Sequence, residues 1–297
     1  AGNGVRTRAL IRQAAPRQLA GWLDDHLATP CCMVDRITPE TTPADREELA
    51  TLTGLEDAWP VMTESFSQWV IEDRFASDRP PLERAGVQMV TDVAPFEEMK
   101  LRLLNGAHTT MALLGPMLGH RFVAEAARDP DLSALLKATA QGEVFATLTL
   151  PRDALESYWN ALMERFANPA MRHALAQIAA DSSEKVPVRL LPPWRERAAR
   201  GAPSPGLCMA VAGWLAAIRQ AQDVLSDPRD ADLRRIARES PEDMVVALSR
   251  EGEPLAQLAD HPVLQRELAD NVMRIDQLGV RGALRAWRDA TRNPPMR

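Results

Sequence analysis

Residues 97–108 read EEMKLRLLNGAH, which sets a lysine, an asparagine and a histidine into an otherwise apolar helical pattern. On an α-helix each residue advances about 100°, so Glu97, Lys100, Leu104 and His108 fall within a sector of roughly 80°, with Asn105 roughly 60° beyond His108. The other positions here and just beyond, Leu101, Leu103, Met111, Leu113 and Leu114, are apolar, as in a helix largely removed from water. Polar groups in that setting pair with one another or meet a ligand. Two readings are open. Lys100 can be a solvated first-turn lysine and His108 a hydrogen-bonded core histidine, as lone residues of these types usually are. Taken as a set, they do more. A lysine in a partly apolar pocket loses preference for its charged form, and Asn and His nearby can hold an oxygen whose charge changes during reaction. Such groups would take a proton off an alcohol while something else removes hydride.

Working outward, the texture of the chain changes near residue 92. Beyond it, segments rich in Ala, Leu, Glu and Arg read as helices at about 95–118, 131–141, 151–167, 169–181, 206–225, 241–249 and 261–289. One brief alternating stretch, EVFATLTL at 143–150, competes with them, and the breaker-rich PPWRERAARGAPSPG at 192–206 reads as an exposed loop. Before residue 92, short apolar runs at 31–34, 69–71 and 87–90 lie between prolines and read as strands, with helices expected at 6–26 and 43–53. The expected fold is mainly α: a mixed α/β region over 1–92, then a large helical domain over 93–297.

The 297 residues carry 35 Lys+Arg against 41 Asp+Glu, a formal net charge of −6, and the arginines are spread along helices. That argues against a nucleic-acid partner. No apolar run is long enough to span a membrane and the first twenty residues are charged, so a cytoplasmic protein with no membrane partner is expected. Cys31, Cys32 and Cys208 offer neither zinc-ligand spacing nor an even disulfide set, and no metal site is expected from them and the five histidines.

EMKLRLLNGAH, together with MVDRITP at 33–39, QWVIEDRF at 68–75 and NPAMRHALAQIAADSSEKVPVR at 168–189, resembles the polyol-specific long-chain dehydrogenases, the mannitol dehydrogenase and fructuronate (mannonate) reductase family. The resemblance implies a helical substrate domain like the C-terminal domain of 6-phosphogluconate dehydrogenase, preceded by a remnant of the dinucleotide-binding domain. It implies a metal-independent enzyme that interconverts a polyol or aldonate with the matching ketose or keto-acid, using NAD or NADP. By the same resemblance Lys100 is the general acid/base, Asn105 and His108 bind and polarise the reacting oxygen, and Glu97 is associated with proton passage to solvent. Asp35 and Lys185 would line the substrate pocket, and Gln177 would bear on which substrate is accepted. On the bare residues, Asp35 and Arg36 could form a surface ion pair and DSSEK at 181–185 a plain loop. Trp69 and Phe75 read as packing residues and His173 as structural.

GNGVRT at 2–7 matches G-x-G-x-x-G only until its last position and has no strand before it, so it reads as a poor phosphate loop. The expectation is therefore a chain lacking most of the Rossmann domain, with the cofactor-binding residues unassigned and the chain inactive by itself. Two alternatives stand beside it: another β-hydroxyacid dehydrogenase, and a non-catalytic helical interaction module.

Overall fold

The computed structural model describes residues 2–221 and 226–292, with side chains through residue 291. It divides into two compact units, Ala1–Lys100 and Leu101–Arg297.

In the first unit, α1 (Asn3–Ala14) and α2 (Ala20–His26) replace the single helix expected at 6–26. Pro16 separates them: its ring disfavours the helical conformation at the residue before it, and Ala15 lies extended at φ −77, ψ 145. Gly4 of α1 is buried against the chain, and a Cβ there would lie 2.2 Å from the Thr29 carbonyl oxygen and 2.8 Å from Cys31 N. Only glycine lets α1 come this close. Strands β1 (Cys32–Asp35), β2 (Gln68–Glu72) and β3 (Gln88–Val90) form one sheet in the order β1-β2-β3, β1 antiparallel to β2 and β2 parallel to β3. The register sets Met33 opposite Val70, and Cys31, Met33, Val70 and Val93 make the unit's core, with Val90 and Phe96 packed against it. Side chains alternate along β2, so burying Val70 turns Trp69 outward, where it is 39% exposed. The packing role read for Trp69 is thus corrected, while Phe75 is half-buried. Between β1 and β2, α3 (Pro43–Thr53) starts at a capping box in which Thr42 and Asp45 satisfy each other's backbone N–H, and it ends at Gly54 in the left-handed region. Helix α4 (Ala94–Met99) closes the unit.

The second unit is helical. A π-turn (Lys100–Asn105) leads into α5 (Gly106–Leu114), all nine of whose residues are buried. There follow α6 (Val123–Arg128), α7 (Pro130–Thr139), a second π-turn (Ala140–Val144), α8 (Arg152–Phe166), α9 (Leu175–Ala179) and α10 (Ser182–Arg189). The chain continues through α11 (Leu191–Ala199), α12 (Pro205–Gln220), α13 (Asp230–Ile236), α14 (Pro241–Leu248) and α15 (Pro262–Arg292), the last broken at Gly279. Helix α12 forms the centre and packs on α5, α7 and α15. Its Gly213 faces Leu114 of α5, whose side chain a Cβ would meet at 2.6 Å.

Four sequence expectations change here. Residues 168–174 are turns rather than helix, leaving only α9 of the stretch 169–181. The presumed loop at 192–206 is largely α11, because Pro192 and Pro193 occupy its first turn, where a missing N–H costs no hydrogen bond. The alternating stretch 143–150 winds as the end of a π-turn and a short 3-10 turn, not a strand. Helix α12 ends at Gln220, and residues 222–225 of the helix expected over 206–225 lie outside the described residues. Among the described residues no helix is long and apolar enough to cross a membrane.

Candidate active site

The stretch read as continuous α-helix carries its π-turn over the lysine-to-asparagine spacing, Lys100–Asn105. Five α-helical steps would set Asn105 about 140° around from Lys100. A π-turn closes its hydrogen bond from i to i+5, which draws residues five apart toward one line. The sector expected from a straight helix is corrected accordingly: the backbone itself turns Asn105 toward the lysine's side.

In the first unit the structure gathers Glu97, Lys100 and the Asp35 segment. The Glu97 carboxylate accepts the Gly2 N–H at 2.9 Å and 3.2 Å. Half-buried Lys100 donates from Nζ to the Val34 carbonyl oxygen, next in chain to Asp35, so it is not a freely solvated lysine. Asp35 ends β1 with no solvent exposure. The surface pair considered for Asp35 and Arg36 is not formed at a surface, because Arg36 turns to donate to the Glu64 carbonyl oxygen at 2.9 Å and 3.1 Å. The buried Glu64 carboxylate takes the Ile37 N–H at 2.7 Å. The MVDRITP segment is thereby braced on both sides of the aspartate.

In the second unit His108 lies in the middle of α5, its ring 4.4 Å from that of Phe166 and 5.2 Å edge-on from that of His173. Burial first, then the nearby His173, Arg189 and Arg165, hold His108 well below the usual histidine range. The ring is neutral. Its Nε2 is buried and has no hydrogen-bond partner among the described residues, unlike the satisfied core histidine that was the bland reading. His173 Nδ1 is likewise buried without a partner, and burial lowers its pKa too. Sequence reasoning set His173 aside as structural; a second histidine opposite His108 could not be seen across the 65 positions that separate them.

Helices α9 and α10 carry the remaining candidates. DSSEK is not a plain loop: Asp181 adopts a left-handed conformation (φ 53) and α10 begins directly after it. Asp227 pins that start by accepting from Ser182 Oγ (3.0 Å), Ser183 N (2.8 Å) and Ser183 Oγ (2.7 Å). Lys185 Nζ donates to the carbonyl oxygens of Ile178 (3.3 Å) and Ala180, closing the end of α9, and lies 3.9 Å from Asp181 Oδ2. Burial, then the Arg189 charge, lower the Lys185 pKa. Gln177 is exposed on α9. Arg189, which the sequence did not single out, donates from Nη1 to Thr109 Oγ1 at 3.0 Å and so ties α10 to the residue after His108. Asn105 is half-buried at the start of α5.

Among the described residues no group of three or more His, Cys, Asp or Glu side chains is arranged to hold a metal. The start of α1 does not fit a pyrophosphate. Its Gly2 N–H is taken by a carboxylate, and the space beside Gly4 is filled by the Thr29 carbonyl oxygen.

Against known proteins, the profile described as Mannitol dehydrogenase C-terminal domain matches residues 92–276, and the one described as Mannitol dehydrogenase Rossmann domain matches residues 1–84. The chain belongs to the mannitol dehydrogenase family. A mannitol 2-dehydrogenase of Aspergillus niger is 40% identical over 77% of the chain and 49% of its own length. A D-mannonate oxidoreductase of Escherichia coli K12 is 42% identical over 69% of the chain and 42% of its own length. The solved Pseudomonas fluorescens mannitol 2-dehydrogenase, in ternary complex with NAD and D-mannitol, superposes with a TM-score of 0.87 at 32% identity, covering 98% of this chain and 61% of that one. The chain thus spans about half the length of the curated relatives it matches. The Rossmann match corrects the expectation that most of that domain, the missing N-terminal nucleotide-binding region, is absent. That expectation weighed a single glycine motif, whereas the match runs over residues 1–84, which include α1, α2, β1, α3 and β2.

Proposed function

We propose that this member of the mannitol dehydrogenase family is an oxidoreductase that interconverts a secondary alcohol of a polyol or aldonate with the matching ketose or keto-acid, with a nicotinamide dinucleotide as its redox partner. The observation that carries this reading is His108: a neutral imidazole, buried, with an unsatisfied ring nitrogen on a helix whose π-turn begins at Lys100. An orphaned buried donor or acceptor costs about 1–3 kcal/mol, and a ligand oxygen that completes it recovers that cost. The names of the relatives support the substrate class, since they act on mannitol or mannonate.

In this mechanism His108 and Asn105 hold the reacting oxygen by neutral hydrogen bonds that strengthen as charge develops on it. Lys100 accepts the hydroxyl proton in the oxidative direction and returns it in reduction, and Glu97 passes protons between Lys100 and solvent. Asp35 accepts from sugar hydroxyls, with Lys185 and Gln177 completing the substrate contacts. The dinucleotide supplies the hydride chemistry, and no residue of α1 is assigned to it, because the helix start is already occupied.

The test is spectrophotometric: nicotinamide reduction by the protein with mannitol, arabinitol, sorbitol, mannonate and altronate, in wild type and Lys100→Ala. Turnover of at least one, lost in the variant, is the expected result. A folded protein that neither binds nicotinamide nor turns over any of the five is a helical interaction module instead.

A further inference from the structure

Gln177 on α9 and Lys185 on α10 flank an elbow that its own residues do not hold. The pivot, Asp181, is the single non-glycine residue at positive φ among the described residues (φ 53, ψ 37). Left-handed backbone is unfavourable for a residue with a Cβ and persists where surrounding contacts over-determine it. Asp181 stands at the cap position of α10 yet makes no capping bond with its own side chain. The cap comes from elsewhere. Asp227, 44 positions beyond Ser183, accepts Ser183 N at 2.8 Å, Ser183 Oγ at 2.7 Å and Ser182 Oγ at 3.0 Å. The carbonyl oxygen of Ser226 accepts the Asp181 N–H at 2.7 Å, and Trp214 of α12 donates from Nε1 to Ser182 Oγ at 2.9 Å. Both serines are buried. The Arg229 N–H, at 3.0 Å, holds the Asp227 carboxylate in turn. Burial raises the Asp227 pKa, but the donors from Ser183, Arg229 and Ser182 outweigh it and keep the carboxyl below its usual range, so the acceptor is ionised.

The direction of Lys185 follows from that shape. An ammonium has three N–H donors. Two of them go to the carbonyl oxygens of Ile178 and Ala180 at the end of α9, and Asp181 Oδ2, at 3.9 Å, lies beyond hydrogen-bond reach. With two directions fixed on the backbone of the elbow, the elbow also sets the third. The charges around it are mixed: burial and then Arg189 oppose the charged form of Lys185, while Asp181, Asp227 and Glu184 favour it. We propose that Asp227 is a positioning residue for substrate binding, holding the elbow between α9 and α10 in the shape that aims the remaining N–H of Lys185 at a substrate oxygen. The inference rests on the function proposed above and adds the group that orients one of its substrate contacts.

Steady-state kinetics test this, with whichever of mannitol, arabinitol, sorbitol, mannonate and altronate the wild type turns over fastest, in wild type, Asp227→Asn, Ser183→Ala, Lys185→Met and the double variant Asp227→Asn with Lys185→Met. Asp227→Asn keeps the side-chain shape but has one acceptor oxygen for donors that now meet two, and should raise KM about tenfold with kcat within about threefold and nicotinamide affinity unchanged. Ser183→Ala removes one of the bonds and leaves every charge in place, so a rise in KM of about twofold to fivefold there comes from geometry alone. Once Lys185→Met has raised KM, adding Asp227→Asn should change it by less than about twofold, because Asp227 acts through Lys185. Effects that multiply independently in the double variant would overturn the proposal. So would a lowered melting temperature in Asp227→Asn with KM unchanged, the behaviour of a purely structural contact. An unchanged KM in Lys185→Met overturns it while leaving the oxidoreductase reading in place, and a wild type that turns over none of the five removes both. If Asp227→Asn does not fold, an unchanged KM in Ser183→Ala is sufficient to reject the proposal.

Discussion

Glu143 offers a test of the helical unit that needs no substrate. It sits in the π-turn before α8, and its two carboxylate oxygens accept the N–H groups of Gly206 (2.7 Å) and Leu207 (2.9 Å), which open the central helix α12. Burial pushes its pKa up, against the pull of those N–H groups and of Arg197, from 4.5 to about 7. A carboxyl whose folded pKa exceeds its unfolded value binds more protons folded than unfolded between the two, so its contribution to stability is full at low pH and falls as pH rises through that window. The shift, from 4.5 to about 7, at about 1.4 kcal/mol per unit, makes the ionised group cost about 3 kcal/mol above neutral pH. In Glu143→Gln nothing ionises, but the amide keeps one acceptor and faces the second N–H with a donor, a loss of about 1 kcal/mol. The variant should lie within about 0.5 kcal/mol of wild type at pH 5, where about 1 kcal/mol of the ionisation cost is already present, and be about 2 kcal/mol more stable at pH 8, by urea unfolding of both proteins at both pH values. Comparing the two proteins cancels the other titrating groups. His108 and His173 in particular act in the opposite sense, since their lowered folded pKa values withdraw stability as pH falls below about 6.5. A difference between variant and wild type that is the same at pH 5 and pH 8 refutes the reasoning, because the carboxyl would then hold its proton equally in both states.

Three further outcomes are expected. Lys100→Ala should lower turnover by about two to four powers of ten with nicotinamide affinity unchanged, and near-normal turnover would remove Lys100 from proton transfer. His108→Ala should cost about two to three powers of ten in kcat with KM little changed; a rise in KM alone would make the histidine a clamp on substrate rather than a donor to the reacting oxygen. Gly4→Ala puts a methyl 2.2 Å from the backbone oxygen of Thr29, which no rotamer can relieve, and should lower the melting temperature of the protein through a loss of about 1–3 kcal/mol or more. An unchanged melting curve would show that α1 packs there less closely.

The polar residues on the catalytic helix were legible because their pattern is local: a lysine, an asparagine and a histidine among leucines stand out within three turns of chain. Their relative directions were not, because the sequence carries no sign that the backbone gains an extra residue per turn between Lys100 and Asn105. Strands β1 to β3 were found within a residue or two from apolar runs bounded by prolines, and α3 from its capping residues. Proline misled where its position in the element mattered. Pro16 splits a helix that periodicity alone would continue, while Pro192 and Pro193 start one that their presence would exclude.

Charge balance is the property that local reading misses most completely. The resemblance assigned Lys185 to the substrate pocket, and in the fold its ammonium also donates to the carbonyl oxygens of Ile178 and Ala180. Arg189, four positions on, looks like one more surface arginine in a chain that has many. In the fold it is half-buried and donates to Thr109 Oγ1, a contact between positions 80 apart that ties α10 to the residue after His108.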